Sequence, residues 1–301
     1  MKALVTGAGG FVGQALAGHL EAHGDEVLGL DRVHGPDVTD AATVREVVAR
    51  YRPEAVYHLA AVTHIGASWE APLEVFRINA EGTLNVLSAC AAAGVDRVLV
   101  VGSADEYGAV RPEDLPLSEE APLRPLTPYG ASKVAAEYLA LQAFLGERLP
   151  VIRVRAFNHT GPTQSERFMI PSLARRIATA EREGRKEIPI GSLEPVRDYT
   201  NVADVVVAYR LLIERGEPGE VYNVCSGVGH SVAEVADKLL ALARHAIELL
   251  PDPSLVRPVE VPRLVGDNRR LREATGWAPT IPFDETLAAI LDRWRAETGP
   301  R

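Results

Sequence analysis

The sequence predicts an α/β protein, a doubly wound parallel sheet with a smaller C-terminal lobe, and three observations carry that expectation. The first half alternates short apolar runs with longer stretches of helical period, the pattern of a parallel sheet covered by helices. The runs are apolar throughout rather than alternating, which suits strands buried on both faces. From about Phe157 the texture shifts to more Pro and Gly and shorter elements, which marks a second lobe. At 301 residues, with 47% hydrophobic and 24% charged side chains, the chain has ordinary globular composition and length enough for a sizeable core.

In chain order, strands are expected over Lys2–Thr6, Glu26–Leu30, Ala55–Leu59, Arg97–Val101 and Val151–Arg155, each rich in Val and Leu. Between them, Phe11–His23, Ala41–Tyr51, Pro72–Ala93 and Thr127–Leu145 have the length and apolar spacing of helices. Right-handed crossovers then wind the sheet doubly. Residues 1–156, with some later segments returning, form the first unit and 157–301 the second. In the latter, Ile170–Glu183 and Ser231–Ala243 read as helices, Glu220–Val224 as a strand and Phe283–Arg295 as a closing helix begun after Pro282. No repeat, low-complexity tract or long linker interrupts the pattern, and a cleft is expected between the lobes.

Lys and Arg total 32 against 41 Asp and Glu, a net charge of −9, which argues against nucleic acid as the main partner. An anionic ligand must instead meet a local cluster of Arg side chains and backbone N–H groups. Two cysteines, Cys90 and Cys225, exclude a disulfide framework and a thiolate zinc site and suit a reducing cytosol. The eight histidines read as lacking paired ligand spacing, so no metal is expected. No apolar run approaches the ~20 residues of a membrane span. The amino terminus enters a strand at once, leaving no room for a signal peptide, so a soluble cytoplasmic protein is expected.

Thr6-Gly7-Ala8-Gly9-Gly10-Phe11-Val12-Gly13 follows the first strand and opens the first helix. In this strand–turn–helix setting Gly7 permits the tight turn, Gly10 lets the backbone approach a pyrophosphate and Gly13 lets helix pack on strand. The helix amino terminus, with Phe11 and Val12, offers N–H groups to phosphates. This is a Rossmann-type dinucleotide site. Asp31, at the end of the second strand, can accept from an adenosine ribose 2′-hydroxyl and favours NAD; Arg32 can pair with a 2′-phosphate and leaves NADP open. Leu59, Ala60 and Ala61, after the third strand, present small side chains to a passing ribose, and Asp37-Val38 lies where an adenine edge would sit.

Tyr129-Gly130-Ala131-Ser132-Lys133 falls near the start of a predicted helix, so Tyr129 and Lys133 share a face one turn apart. A nearby ammonium stabilises phenolate and should bring the phenol down toward operating pH. Such a tyrosine exchanges a proton with an oxygen on the carbon that exchanges hydride. Ser103, just past the fourth strand, can hydrogen-bond the same oxygen.

With these residues in place, the chain resembles the extended short-chain dehydrogenase/reductases of the nucleotide-sugar branch over nearly its whole length. Phe157-Asn158-His159-Thr160-Gly161-Pro162, Arg197-Asp198-Tyr199, Val221-Tyr222-Asn223-Val224-Cys225-Ser226-Gly227, Arg257-Pro258-Val259-Glu260 and Gly266-Asp267-Asn268 resemble the GDP-mannose 4,6-dehydratases and GDP-4-dehydro-6-deoxy-D-mannose reductases. The resemblance implies a GDP-linked sugar substrate, with Asn158 near its phosphates, Arg197 and Arg257 on its pyrophosphate and Glu260 on its ribose hydroxyls. It also implies that Asn79 supports the site, and that Pro72–Ala93 and Thr127–Leu145 build a homodimer.

In the dehydratases a Glu two positions before a Tyr-Gly supplies the extra acid/base. Here Asp105 takes that place before Tyr107-Gly108, one methylene shorter, and Glu106 follows it. General acids must reach to within about 3 Å of the proton they move, so the shorter side chain favours reduction. The expected reaction is NAD(P)H-dependent reduction of the C4 ketone of a GDP-4-keto-6-deoxy-mannose-type sugar to GDP-D-rhamnose, with Tyr129, Lys133, Ser103 and Asp105 at the reacting centre. A dehydratase or epimerase is the enzymatic alternative, and a redox-sensing coenzyme-binding protein the alternative of another class. Glu119-Glu120 reads as a solvated loop face and Trp277 and Trp294 as packing anchors of the smaller lobe; His58, at a strand end, and His159, beside Asn158, read either as ligand contacts or as satisfied packed side chains.

Overall fold

Strands β1 (Lys2–Thr6), β2 (Glu26–Leu30), β3 (Ala55–His58), β4 (Arg97–Val101) and β5 (Val151–Ala156) form where the apolar runs predict them. The computed structural model describes residues 1–31, 35, 37–255 and 261–299. The later strands are β6 (Asn158–Thr160), β7 (Glu187–Ile190), β8 (Val196–Asn201), β9 (Val221–Val224), β10 (Gly229–Ser231), β11 (Glu248–Pro251) and β12 (Arg263–Leu264). One six-stranded parallel sheet runs β2-β1-β3-β4-β5-β9, so β9 returns from the second half of the chain to its edge. The order reverses between β1 and β3, which places a crevice outside their carboxyl ends.

The helices are α1 (Phe11–Ala22), α2 (Ala41–Tyr51), α3 (Ile65–Glu70), α4 (Pro72–Phe76), α5 (Gly82–Ala93), α6 (Pro128–Glu147), α7 (Met169–Glu183), α8 (Val202–Arg215), α9 (Val232–Ala241), α10 (Arg269–Thr275) and α11 (Phe283–Thr298). The expected single helix over Pro72–Ala93 contains a π turn at Arg77–Glu81, joining α4 to α5 and carrying Asn79. Alternate residues of β1 go to opposite faces. Ala3 and Val5 pack with Leu16, Tyr57, Leu99, Ile152 and Tyr209 under α1 and α8; Leu4 packs with Val44, Val56, Val86, Val98 and Ala140 under α2, α5 and α6. Each fully buried Val, Leu or Ile side chain contributes about 1.5–3 kcal/mol.

In the second half, β8 pairs with β6, β10 and β12, and β7 with β11. Helices α7, α9 and α11 cover them with a separate core of Ile170, Ile177, Val235, Leu287, Ile290 and Trp294. Trp277 corrects the expectation for its role: it joins the core of the larger sheet and donates from Nε1 to the Asp204 carbonyl of α8 at 2.9 Å. The indole follows α10 back onto α8, a return no local pattern announces. His19 and His23 also correct the reading of the histidines, since they stand four apart on α1 with ring centroids 4.3 Å apart.

Candidate active site

The turn after β1 is built around two glycines. Gly7 takes φ +73°, and a Cβ there would lie 2.9 Å from Ala60 N; a Cβ on Gly13 would lie 2.1 Å from Gly7 O. Only hydrogen at both positions lets β1, the first turn of α1 and the Leu59-Ala60 segment close together. Gly10 caps α1 through its backbone alone, so the first N–H groups of the helix are left for a ligand. A crevice of ≈ 470 Å³ opens over this turn, lined by Gly7, Gly10, Phe11, Val12, Gly13, Asp31, Asp37, Val38, Leu59, Ala60 and Ala61 among others. The cradle fits a dinucleotide pyrophosphate. Asp31 stands beside the turn, its Oδ2 2.6 Å from where a Gly9 Cβ would sit. Arg32 lies outside the described residues. Thr63, Ile78, Ser165 and Phe168 also line the crevice, and no local motif marks them.

Beneath the crevice, Thr6 Oγ1 bonds His58 Nδ1 at 2.7 Å and His58 Nε2 bonds Thr83 Oγ1 at 2.9 Å. Burial, followed by the nearby Lys133, pulls His58 down to about 3, so the ring is neutral and ties β1 and β3 to α5. Asn79, in the π turn, accepts from Val62 N at 2.8 Å and donates to Ser132 Oγ at 2.9 Å. The π turn thereby aims an amide at α6 beside Tyr129 and Lys133.

Helix α6 starts at Pro128 with Thr127 as its cap, Thr127 Oγ1 accepting from Gly130 N at 3.0 Å. This sharp start sets Tyr129 and Lys133 on the face toward β4, both 6% exposed. Ser103 neighbours the Tyr129 phenol. Ser103 Oγ also lies 3.1 Å from Asp105 Oδ2 and accepts from Asp105 N at 3.1 Å, so Ser103, Asp105 and Tyr129 converge at the carboxyl end of β4. Lys133 Nζ donates to Val101 O at 2.8 Å.

The charge states differ from the expected pattern. Burial first, then Asp105 and Glu106, hold the Tyr129 phenol well above its ordinary range, against the pull of the neighbouring Ser103 hydroxyl. The expected lowering by Lys133 is therefore corrected: the phenol is desolvated and the ammonium turns toward the strand end. Burial brings Lys133 down to about 8, with Glu106 acting in the other direction.

Asn158, Arg197 and Tyr199 line a second cavity with His159, Arg167, Phe168 and Arg176, and Phe168 borders both cavities. His159 stacks on Phe11 of the glycine turn at 6.2 Å, linking the two. Arg257 and Glu260 lie outside the described residues. Glu119 corrects the reading of a solvated pair: it is 8% exposed and accepts from Asn223 N at 2.8 Å, whereas Glu120 faces solvent and pairs with Arg270.

Comparison with known proteins gives the family. The family model for GDP-mannose 4,6 dehydratase matches residues 31–290. A GDP-6-deoxy-D-mannose reductase from Pseudomonas aeruginosa is 37% identical over 297 residues, covering 98% of this chain and 97% of the relative. The structure of RMD from Pseudomonas aeruginosa complexed with NADPH superposes with a TM-score of 0.90 at 36% identity, covering 99% of this chain and 100% of that one. A Thermus thermophilus UDP-glucose 4-epimerase complex with NAD gives a TM-score of 0.87 at 31% identity, covering 98% and 99%. Among the described residues no helix is long and apolar enough to cross a membrane. A switch-point glycine turn, a Ser-Tyr-Lys centre at the same sheet edge and full-length similarity lead to one assignment: the chain belongs to the GDP-mannose 4,6 dehydratase family of extended short-chain dehydrogenase/reductases.

Proposed function

We propose that this protein reduces the C4 ketone of a GDP-4-keto-6-deoxy-mannose-type nucleotide sugar with NADH or NADPH, giving GDP-D-rhamnose. The observation that carries the reading is the convergence of Ser103, Asp105 and Tyr129 at the carboxyl end of β4, with Asp105 where the dehydratases have glutamate. The reductase relative at 37% identity supports it. Residues 1–156, with α8 and β9 returning, hold the coenzyme, and the remainder holds the nucleotide sugar.

The glycine turn and the amino end of α1 bind the pyrophosphate, Asp31 faces the adenosine ribose, and Lys133 holds the nicotinamide ribose. The reduced nicotinamide, when bound, supplies the hydride. Ser103 Oγ and Tyr129 Oη hydrogen-bond the sugar C4 oxygen and polarise the carbonyl. Tyr129 gives its proton to that oxygen as negative charge develops there. A phenol held above its ordinary range keeps its proton until that charge appears, which suits the reducing direction. Asn158 and Arg197, with Arg257, meet the substrate phosphates, and Glu260 the ribose; Arg forks match phosphate oxygens in an otherwise acidic protein. Apolar side chains exposed on the helices over 72–93 and 128–147, among them Leu73, Phe76, Leu84, Tyr138 and Leu145, support a homodimer through those helices. The two buried, unpaired cysteines support a cytosolic location.

Purified protein incubated with GDP-4-keto-6-deoxy-mannose should oxidise NADH or NADPH mole for mole, with a product heavier by two hydrogens in the mass spectrum. Loss of water from GDP-mannose by this protein alone, with no net change in coenzyme, would overturn the reading in favour of a dehydratase. The pH dependence is a second expectation. Lys133 is charged below about 8 and neutral above it, so kcat/KM should fall as pH rises through that value. A profile that stays flat well past it would remove the Lys133 charge from the reaction.

A further inference from the structure

A line of buried polar side chains that the mechanism above does not use runs from the sheet to helices α5 and α6. Thr6, His58, Asn79, Thr83 and Ser132 are each 3% exposed or less. Thr6 Oγ1 bonds His58 Nδ1 at 2.7 Å, His58 Nε2 bonds Thr83 Oγ1 at 2.9 Å, and Thr83 Oγ1 donates to Asn79 O at 2.5 Å. The Asn79 amide then donates to Ser132 Oγ at 2.9 Å, and Ser132 Oγ donates to Tyr129 O at 2.7 Å. At the other end Thr6 Oγ1 accepts from Ala60 N at 3.2 Å, while Asn79 is tied to Val62 N at 2.8 Å and Val62 O at 3.1 Å. Ala60 and Val62 line the coenzyme crevice. The line therefore joins the floor of that crevice to the backbone of Tyr129.

These contacts fix where each hydrogen lies. Two oxygens approach as closely as Thr83 Oγ1 and Asn79 O do only with a hydrogen between them, so the Thr83 hydroxyl is spent on that carbonyl. Toward His58 it can then only accept, which puts the ring hydrogen on Nε2. Nδ1 keeps its lone pair and takes the Thr6 hydroxyl hydrogen. The opposite tautomer would set the Nε2 lone pair against those of Thr83 and leave the Thr6 hydroxyl without an acceptor among the described residues. A charged ring would strand the same hydroxyl. With hydrogen on Nε2, every donor of the line has its acceptor, and a buried polar network satisfied in this way specifies one geometry.

We propose that His58 is a positioning residue: in its Nε2–H tautomer it locks the floor of the coenzyme crevice to the first turn of α6 and so sets how the nicotinamide meets Tyr129. The proposal deepens the reduction reading and rests on it. Hydride and proton go to the two ends of one carbonyl, so the floor that carries the coenzyme and the helix that carries the phenol must hold one register. Apolar packing is non-directional and lets such elements slide, whereas each hydrogen bond of the line has a direction. The ring faces Thr6 on β1 and Thr83 on α5, and the Lys133 ammonium on α6 adds to burial in keeping it neutral.

The test compares Thr83→Val and Thr83→Ser with the wild type. Valine keeps the shape but removes the acceptor for Nε2–H, so the ring should move its hydrogen to Nδ1 and donate to Thr6 Oγ1 instead. Nitrogen NMR of histidine-labelled protein, with the signal assigned by its loss in His58→Gln, should show a neutral Nε2–H ring in the wild type and in Thr83→Ser. The Nδ1–H form should replace it in Thr83→Val. In single-turnover reduction of the keto sugar, Thr83→Val should slow hydride transfer about tenfold, the scale of slightly misplaced reacting groups, with coenzyme affinity and Thr83→Ser close to wild type. A merely structural threonine would lower Tm in the valine variant and leave the rate of the folded enzyme unchanged. The inference is overturned if the wild-type ring is charged at neutral pH or carries its hydrogen on Nδ1, or if Thr83→Val transfers hydride as fast as Thr83→Ser. Should the valine variant fail to fold, Ser132→Ala cuts only the last link, and a wild-type rate of hydride transfer there overturns the inference equally. Failure of the parent reading looks different: the wild type reduces no 4-keto sugar, yet His58 still shows the Nε2–H form.

Discussion

Tyr129→Phe should lower kcat about a thousandfold, the scale of losing a positioned general acid, while the affinity for NADH or NADPH changes little. By transition-state arithmetic that is about 4 kcal/mol of barrier. The ring sits in a buried site with its hydroxyl toward Ser103, so phenylalanine retains the packing and deletes only the proton donor and one carbonyl contact. The coenzyme crevice is lined from β1, β2, β3 and the α1 turn, and none of that changes. Stopped-flow hydride transfer with the keto sugar, beside coenzyme titration by fluorescence, separates the two. Turnover within a few-fold of wild type would take the proton from another donor, and Asp105, beside Ser103 Oγ, would then be the side chain to replace.

The sheet and the coenzyme end were legible in the sequence for one physical reason. Strands buried on both faces need unbroken Val and Leu, and a turn that lets backbone touch backbone needs glycine, so both constraints are written locally. Ser103 and Tyr129 were legible for the same reason, as they sit at a strand end and a capped helix start. What stayed hidden depends on distant contacts. Helix α8, which covers one face of the larger sheet, carries a helical stripe of Val202, Val205, Val206, Tyr209, Leu212 and Ile213, but its opening run Val205-Val206-Val207 is β-branched and masks that period locally. Glu119 looks like half of a solvated pair until Asn223, far along the chain, donates to it. The Lys133 ammonium stands one turn from Tyr129 as the spacing requires, but only the fold reveals that it turns to Val101 O. Spacing determines which groups can meet; burial determines their charge.

Asp198 shows how one buried side chain ties the second lobe together, and its loss should be the largest stability effect outside the core. It follows Arg197 on β8, is 0% exposed, and receives Ser226 N at 2.8 Å, Ser226 Oγ at 2.6 Å, Gly227 N at 2.9 Å and Gly266 N at 3.3 Å. Burial pushes its carboxyl up, and these donors work against that push. Asp198→Ala leaves one buried and two part-buried N–H groups without their acceptor and shifts the Ser226 hydroxyl onto Val228 O alone, a cost of about 3–5 kcal/mol, or a fall in Tm of about 10 °C. Asp198→Asn should recover only part of this, since its amide turns a donor toward donors. The loops at Ser226-Gly227 and Gly266 are the ones that Asp198 pins to Arg197, which lines the second cavity. Loosening them should therefore raise KM for the nucleotide sugar and leave coenzyme affinity intact. Calorimetry and steady-state kinetics on both variants check the pair of effects, and an alanine variant with unchanged Tm would mean that water replaces the carboxylate at no cost.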